Sequence, residues 1–187
     1  KQSFHVLRKR AGLPKPNEAT YFKGSEVIKY FADENKVKGK IERAKLLKGC
    51  IPEITRTGKN FFAYKYVEGK VLSEADNETF INFLKFMKDN LWIPIRGLNE
   101  EEFDQKCFEF YNLKTSRRLV HFLSKTNVSD KKETINGVVV PSAYDMLEDI
   151  DWKWLSDGVP CLFHGDTQPE NVIVTDNSFC LLDWRED

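Results

Sequence analysis

The stretch HGDTQPENVIVTDNSFCLLDW, residues 164–184, has the most informative pattern in this chain, because its polar residues flank two short apolar runs. The pattern predicts a turn at 164–166, a strand at 172–175 and a second strand at 179–182. Asp183 follows the second strand directly. A hairpin of this kind brings side chains from both of its ends toward one place.

Three oxygen-bearing side chains in this stretch have the order that a phosphoryl-transfer site needs. Asn171 follows Asp166 by one short loop, and Asp183 comes after the apolar run. Phosphoryl transfer requires an acceptor for the hydroxyl proton and hard oxygen ligands for a metal ion. Asp166 is therefore the candidate base, and Asn171 and Asp183 are candidate Mg²⁺ ligands. The pattern favours a structural hydrogen-bonding role for His164, and HGD in isolation would indicate only a surface turn.

The same stretch resembles the catalytic loop and metal-binding segment of aminoglycoside phosphotransferases and choline kinase-like enzymes, which are relatives of the protein kinases. These families share HGDxxxxN and a later DW or DF. The resemblance implies an α+β, bilobal protein kinase-like fold with a small β-rich N-lobe and a mainly helical C-lobe. It also implies Asp166 as the base, Asn171 and Asp183 as Mg²⁺ ligands, ATP or GTP as the phosphate donor, and a hydroxyl acceptor on a small molecule.

The protein kinase motif HRDLKPEN is also close to this stretch. Gly165 stands where that motif has Arg, and Gln168 stands where it has Lys. The usual DFG is replaced by Asp183, Trp184 and Arg185. These departures favour a small-molecule kinase, with a sugar, amino alcohol or aminoglycoside as the acceptor, over a protein kinase.

A candidate phosphate-binding lysine lies in the N-terminal part of the chain. The run EVIKYFA, residues 26–32, predicts a strand with Lys29 inside it, and it resembles the VAIK strand of kinases. An ordinary outward-facing strand lysine is the alternative. The following run, 36–48, has helix formers around Glu42, which is the candidate ion-pair partner of Lys29. Glu34 is the alternative partner.

Two further strands are predicted at 51–57 and 60–67, separated by a turn signal. In the kinase-like families, a strand of this sort runs into the linker between the lobes, where backbone groups meet the adenine ring. The resemblance therefore implies three nucleotide-binding hinge candidates, Lys65, Tyr66 and Val67. A strand followed by an ordinary turn is the alternative.

The predicted domain organisation has a nucleotide-binding N-lobe at 1–67 and a C-lobe at 68–187. The C-lobe contains the catalytic loop, 164–171, and the metal-binding segment, 179–187. The chain stops four residues after Asp183, whereas the similar families continue, so the sequence predicts an incomplete C-lobe.

The pattern becomes helical beyond the hinge candidates. Ser73 with Asp76 predicts a capping box, and Asn99 predicts the start of a second helix with three glutamates in its first turn. A loop or insertion is predicted at 124–137, and another short helix at 144–155.

Two features leave a second function open. No glycine-rich loop precedes Lys29, because residues 11–24 contain only two glycines, Gly12 and Gly24. The early end of the chain is the second feature. A nucleotide-binding pseudokinase or scaffold without transfer activity is therefore the alternative to an active phosphotransferase.

The zero net charge of the chain conceals a division. Residues 1–70 carry 17 Lys and Arg against 7 Asp and Glu, whereas residues 71–187 carry 12 against 22. A basic part and an acidic part would suit a nucleotide held by cations on one side and by carboxylate-bound Mg²⁺ on the other. A solvated basic face is the alternative.

The composition also limits compartment and partners. No apolar run has the length of a membrane span, and the first residues lack the apolar core of a signal peptide. The four cysteines have no CxxC spacing, so a cytoplasmic location is expected. No aromatic-rich recognition motif predicts nucleic-acid binding.

Two further runs bear on the identity of the acceptor. The runs FYNLKTSRR and INGVVVPS resemble phosphotransferases of bacterial surface-polysaccharide assembly, which would favour a sugar. Few acidic features for recognising an aminoglycoside are identifiable, and the sequence therefore does not predict a resistance enzyme.

Overall fold

The computed structural model describes residues 16–186 of the 187-residue chain. These residues fall into two compact units. One joins the chain up to Ile93 with the chain from Cys161 onward, and the other is Pro94–Pro160. The predicted boundary between lobes after residue 67 stays a prediction.

The first unit contains an antiparallel four-stranded sheet. Its strands are β1 (Glu18–Lys23), β2 (Glu26–Phe31), β3 (Ile54–Gly58) and β4 (Phe61–Lys65), in the order β1-β2-β4-β3. Helix α1 (Glu34–Leu46) connects β2 to β3, and Asp33 caps it by accepting a hydrogen bond from the amide of Asn35. The predicted strand–helix–strand–strand order is confirmed.

A second sheet contains the hairpin that was predicted from residues 164–184. β5 (Lys70–Val71) pairs with β8 (Val172–Val174), which pairs with β9 (Phe179–Leu181), all antiparallel. Helix α2 (Asn77–Asn90) packs on this sheet, with the Phe83 ring 5.4 Å from that of Phe179. The two strands predicted from the opening stretch are therefore confirmed.

One hydrophobic core connects both sheets with α1 and α2. Trp184, directly after the second strand of the hairpin, is 1% exposed, and its ring lies 5.2 Å from the ring of Phe62 on β4. The amide of Leu181 donates to the carbonyl of Cys50, at 2.8 Å. Remote parts of the chain thus meet within one unit.

The second unit is mainly helical. It contains α3 (Glu100–Phe108), a π-helical turn Glu109–Leu113, α4 (Lys114–Thr126), the hairpin of β6 (Glu133–Ile135) and β7 (Val138–Val140), α5 (Ala143–Glu148) and α6 (Trp152–Ser156). Within residues 16–186, no helix is long and apolar enough to cross a membrane.

Three details differ from the sequence predictions. The predicted Ser73–Asp76 capping box is wrong, because Asp76 itself caps α2 by accepting from the amide of Thr79. The predicted loop 124–137 contains the end of α4 and the strand β6, which turns at Asn136 and Gly137. The helix predicted at 144–155 is divided, because Asp151 caps a new helix. The predicted start of α3 is confirmed, with Asn99 as its cap.

Candidate active site

The loop before the hairpin is shaped by Gly165 and Asn171. Gly165 has φ +87°, and a Cβ there would lie 2.8 Å from the Cβ of Arg185, so glycine is required for both conformation and space. The side-chain amide of Asn171 donates to the carbonyl of Asp166 at 3.0 Å. This bond uses the nitrogen of the Asn171 amide, and it leaves the amide oxygen as the atom that can bind a ligand.

The segment around Asp183 is tied directly to this loop. The amide of Leu182 donates to the carbonyl of Asn171 at 2.7 Å. Arg185 donates twice, from its amide to the carbonyl of His164 at 3.1 Å and from Nε to the carbonyl of Gly165 at 3.2 Å. The predicted catalytic loop and the predicted metal-binding segment therefore form one hydrogen-bonded structure.

Asp183 has an unusual backbone. Its φ is +60°, in the left-handed region, which costs a non-glycine residue on the order of 1 kcal/mol or more. Strained backbone of this kind clusters at functional sites, where the surrounding structure maintains it. On the C-terminal side of Asp183, the buried side chain of Trp184 and the hydrogen bonds of Arg185 hold the chain in place.

Lys29 on β2 forms an ion pair with Asp183. The lysine side chain is 15% exposed, and the aspartate side chain is 47% exposed. The predicted phosphate-binding lysine and a predicted metal ligand, from opposite ends of the chain, are thus adjacent. The alternative of an outward-facing strand lysine is wrong.

The predicted ion pair between Lys29 and Glu42 is not present. Glu42 is largely exposed on α1, and its carboxylate pairs with Lys45 of the same helix at 2.6 Å. The alternative, Glu34, pairs with Lys59 at 3.4 Å. The physical reason is the rotation of α1, whose buried residues are Val37 and Lys40, so Glu42 lies on the far side.

Sequence reasoning missed the inward face of α1. Lys40 is 7% exposed and donates to the carbonyl of Trp184, and burial lowers its pKa although the charge of Glu186 opposes this. Lys36 pairs with Glu18 and lies 3.7 Å from Glu186. The signal was the four-residue spacing of these two lysines beside Val37, which puts all three on one helix face.

The hinge candidates Lys65, Tyr66 and Val67 lie at the end of β4. The amide of Tyr66 donates to the carbonyl of Ser25 at 2.7 Å, so it continues the sheet. The Tyr66 ring is exposed, and its centroid lies 6.3 Å from that of Phe22 on β1. Nucleotide binding by residues 65–67 stays a prediction.

The connection ahead of Lys29 is a tight turn. β1 and β2 are joined through Gly24, with φ +60°, and Ser25. The other glycine of the predicted region, Gly12, lies outside the described residues.

His164 is buried and uncharged at neutral pH. It is 1% exposed, and neither ring nitrogen has a hydrogen bond of good geometry within residues 16–186. Burial lowers the pKa of His164 to about 4, although the charges of Asp166 and Asp183 and a nearby Asp166 backbone group raise it. The predicted hydrogen-bonding role of His164 is therefore wrong for the described residues, and the buried ring is held by packing.

The buried histidine gives a testable pH dependence. The unfolded chain binds a proton near the ordinary pKa of 6.5, whereas the folded chain does so only near 4, so acid favours unfolding across this window. The free energy of unfolding is expected to fall by about 2 kcal/mol between pH 8 and pH 5 through this residue.

Denaturant titrations of the wild type and His164→Gln measure this effect. The variant is expected to lose the greater part of the pH dependence, whatever its stability at pH 8. His121→Gln is the matched control, because His121 is exposed on α4. An unchanged pH dependence in His164→Gln would contradict the assignment.

The donor set fits Mg²⁺ with a nucleotide. The Asp183 carboxylate and the free amide oxygen of Asn171 are hard oxygen donors, and Mg²⁺ in kinase sites takes one or two protein ligands beside phosphates and waters. Within residues 16–186, no group of three or more His, Cys, Asp or Glu could hold a metal ion without such help. A site completed by phosphate oxygens agrees with both observations.

A separate open cavity of about 970 Å³ lies within the second unit. Carboxylates and aromatic rings form much of its wall: Glu100, Glu101, Asp104, Asp151, Asp157, Phe108, Trp152 and Trp154. The sequence indicated few acidic recognition features, because these residues come from two segments that only the fold brings together.

The fold has a match among solved structures. It matches the aminoglycoside phosphotransferase solved as the streptomycin–ATP–APH(2'')-IIa ternary complex, with a TM-score of 0.53 and 17% identity over 91% of this chain and 63% of that one. The chain therefore spans less than two thirds of the length of that protein. No family model and no curated protein matches the sequence. The predicted α+β protein kinase-like fold is confirmed.

Proposed function

We propose that this chain is an ATP-dependent phosphotransferase that acts on a hydroxyl group of a small molecule. The observation that carries the proposal is the meeting of Lys29, Asp183 and the Asp166–Asn171 loop in one compact unit. Each of these groups has the chemistry that a kinase site requires. The solved neighbour with the same fold contains ATP and streptomycin, which supports a nucleotide donor and a small acceptor.

Asp166 is the proposed base. Its carboxylate accepts the proton of the acceptor hydroxyl while the hydroxyl oxygen forms a bond to the γ-phosphorus, and the bond between that phosphorus and ADP breaks. The hydrogen bond from the side-chain amide of Asn171 to the carbonyl of Asp166 restrains the backbone that carries this carboxylate. Positioning of this kind supplies much of the catalysis in phosphoryl transfer.

Lys29, Asn171 and Asp183 form the proposed donor side. Lys29 binds the nucleotide phosphates. To do so, its ammonium must give up part of its contact with the Asp183 carboxylate. Asn171 and Asp183 would hold Mg²⁺, which neutralises charge on the phosphates when bound. The proposed contacts to the base of ATP or GTP come from Lys65, Tyr66 and Val67. In this arrangement the Tyr66 ring covers the nucleotide base.

The experiment is a transfer assay with ATP or GTP, Mg²⁺ and a panel of acceptors. Neutral sugars, amino alcohols and aminoglycosides are compared with peptides, and amine-bearing acceptors are included because of the acidic, aromatic cavity in the second unit. Transfer to a small hydroxyl compound is expected, together with a nucleotide-dependent rise in melting temperature. Binding without transfer to any acceptor indicates the pseudokinase alternative, and transfer to peptides alone indicates a protein kinase.

A further inference from the structure

Helix α1 is joined to the residue after Asp183 by two reciprocal hydrogen bonds. The Lys40 ammonium donates to the carbonyl of Trp184, and the Trp184 indole nitrogen donates to the carbonyl of Lys40 at 2.8 Å. The two residues are 144 positions apart in the chain and are both buried. This pair fixes the helix against the backbone that leaves the left-handed turn at Asp183.

A second set of contacts strengthens the same junction. The Lys40 ammonium lies 3.5 Å from the carboxylate of Glu186, and that of Lys36 lies 3.7 Å from it. A Cβ at Gly39 would stand 2.9 Å from the Cβ of Glu186, so the glycine permits the close approach. On the same helix, Arg43 donates to the carbonyl of Phe163 at 2.7 Å, next to the catalytic loop.

The charge on this helix face is unexpected for a kinase-like site. The sequence predicted that a carboxylate would pair with Lys29, yet the residue turned inward is a lysine. A buried ammonium is unfavourable unless it is paired and hydrogen-bonded. Here the carbonyl of Trp184 and the carboxylate of Glu186 satisfy it, and both acceptors belong to the segment that follows Asp183.

We propose that Lys40 is a positioning residue, which holds the Trp184 carbonyl and so keeps Asp183 in the left-handed conformation that directs its carboxylate to Lys29. The inference rests on the proposed function, because it concerns the site in which Asp183 would bind the metal. Lys40 touches no reacting group and acts through its contacts with Trp184 and Glu186. In this chain α1 thus supports the metal ligand, and the Lys29 ammonium is held by Asp183 itself.

The test compares ATP affinity with and without Mg²⁺ by calorimetry, which needs no turnover. Lys40→Met is expected to reduce the affinity gain caused by Mg²⁺ by about 10-fold or more, as loss of residues that orient a metal ligand does. Lys40→Arg should retain most of the gain. Lys45→Met is the matched control, because it removes an exposed lysine from the same helix, and it should leave the gain unchanged.

Glu186→Gln separates positioning from net charge. Lys40→Met removes a positive charge and Glu186→Gln removes a negative one, so a general electrostatic effect would move ATP affinity in opposite directions. Positioning predicts that both variants reduce the Mg²⁺-dependent gain. If Lys40→Met does not fold, Glu186→Gln still tests the inference, because an unchanged Mg²⁺-dependent gain in that variant overturns it.

The outcomes distinguish this inference from the proposed function. A wild type that binds ATP with Mg²⁺ and transfers phosphate, with an unchanged Mg²⁺-dependent gain in Lys40→Met, overturns the role of Lys40 and leaves the proposed function standing. An equal loss of affinity with and without Mg²⁺ indicates a merely structural lysine and also overturns the inference. A wild type that shows neither binding nor transfer overturns both.

Discussion

Asp166→Asn is expected to lower kcat by about 10²–10⁴-fold, the usual contribution of a general base, with ATP affinity unchanged. The substitution removes the proton acceptor and keeps nearly the same volume. The loop itself is held by hydrogen bonds that do not involve the Asp166 carboxylate. Asn171 donates one to the backbone carbonyl of Asp166, and Arg185 donates two, to the carbonyls of His164 and Gly165. Loss of the carboxylate should therefore leave the loop in place.

The measurement is single-turnover transfer to an acceptor found in the panel, beside calorimetric binding of ATP. Asp176→Asn is the matched control, since Asp176 is an exposed acid in the turn of the same hairpin. The control should retain wild-type kcat. Activity of Asp166→Asn within about threefold of wild type would contradict the assigned base, because a missing proton acceptor costs far more than that.

Asp183→Asn is expected to weaken strongly the Mg²⁺-dependent part of ATP binding and to lower transfer by about 10²-fold or more, since metal stabilisation of transferred charge is worth several kcal/mol. Asparagine tolerates the left-handed conformation better than other non-glycine residues, so the φ of +60° is retained. The change thus removes the charge with little change in backbone. Binding of metal-free ATP should be equal or slightly stronger, because Lys29 is released from its ion pair.

Asp183→Ala is the informative comparison. Alanine also removes the carboxylate, but it adds strain at a positive φ, so it should lower the melting temperature more than asparagine does. The two variants should therefore agree in metal dependence and differ in stability. Mg²⁺ that strengthens ATP binding to Asp183→Asn as much as to the wild type would contradict the role of Asp183 as a ligand.

The local parts of the site could be predicted from the sequence. The strands at 172–174 and 179–181 follow from a short apolar alternation bounded by polar turn residues, which is a local signal. The strand with Lys29 and the helix after it follow from similar patterns. Asp76 shows the limit of such local signals. Ser73 and Asp76 are both candidate capping residues, and only the folded helix shows that Asp76 is the one used.

Contacts across the chain were predicted less well. Lys29 was identified as the phosphate-binding candidate, but its partner was assigned to the nearby helix rather than to Asp183. The acidic wall of the cavity in the second unit was missed for the same reason, since Glu100 lies on α3 and Asp157 directly follows α6. A sequence pattern reports neighbours along the chain, and these pairs are neighbours only in space.

The secondary structure of this protein and the candidate chemistry of its loop follow from the sequence, because hydrophobic period, turn residues and the HGDxxxxN spacing act over a few residues. The face of α1 that meets the segment after Asp183 follows only from the packing of distant parts of the chain. Lys40 and Glu42 are two positions apart and therefore point roughly 200° apart around the helix, so burying Val37 beside the sheets turned the lysine inward and the glutamate outward. The packing of the core therefore set the rotation of α1, because no local conformational preference of Lys40 or Glu42 distinguishes the two orientations.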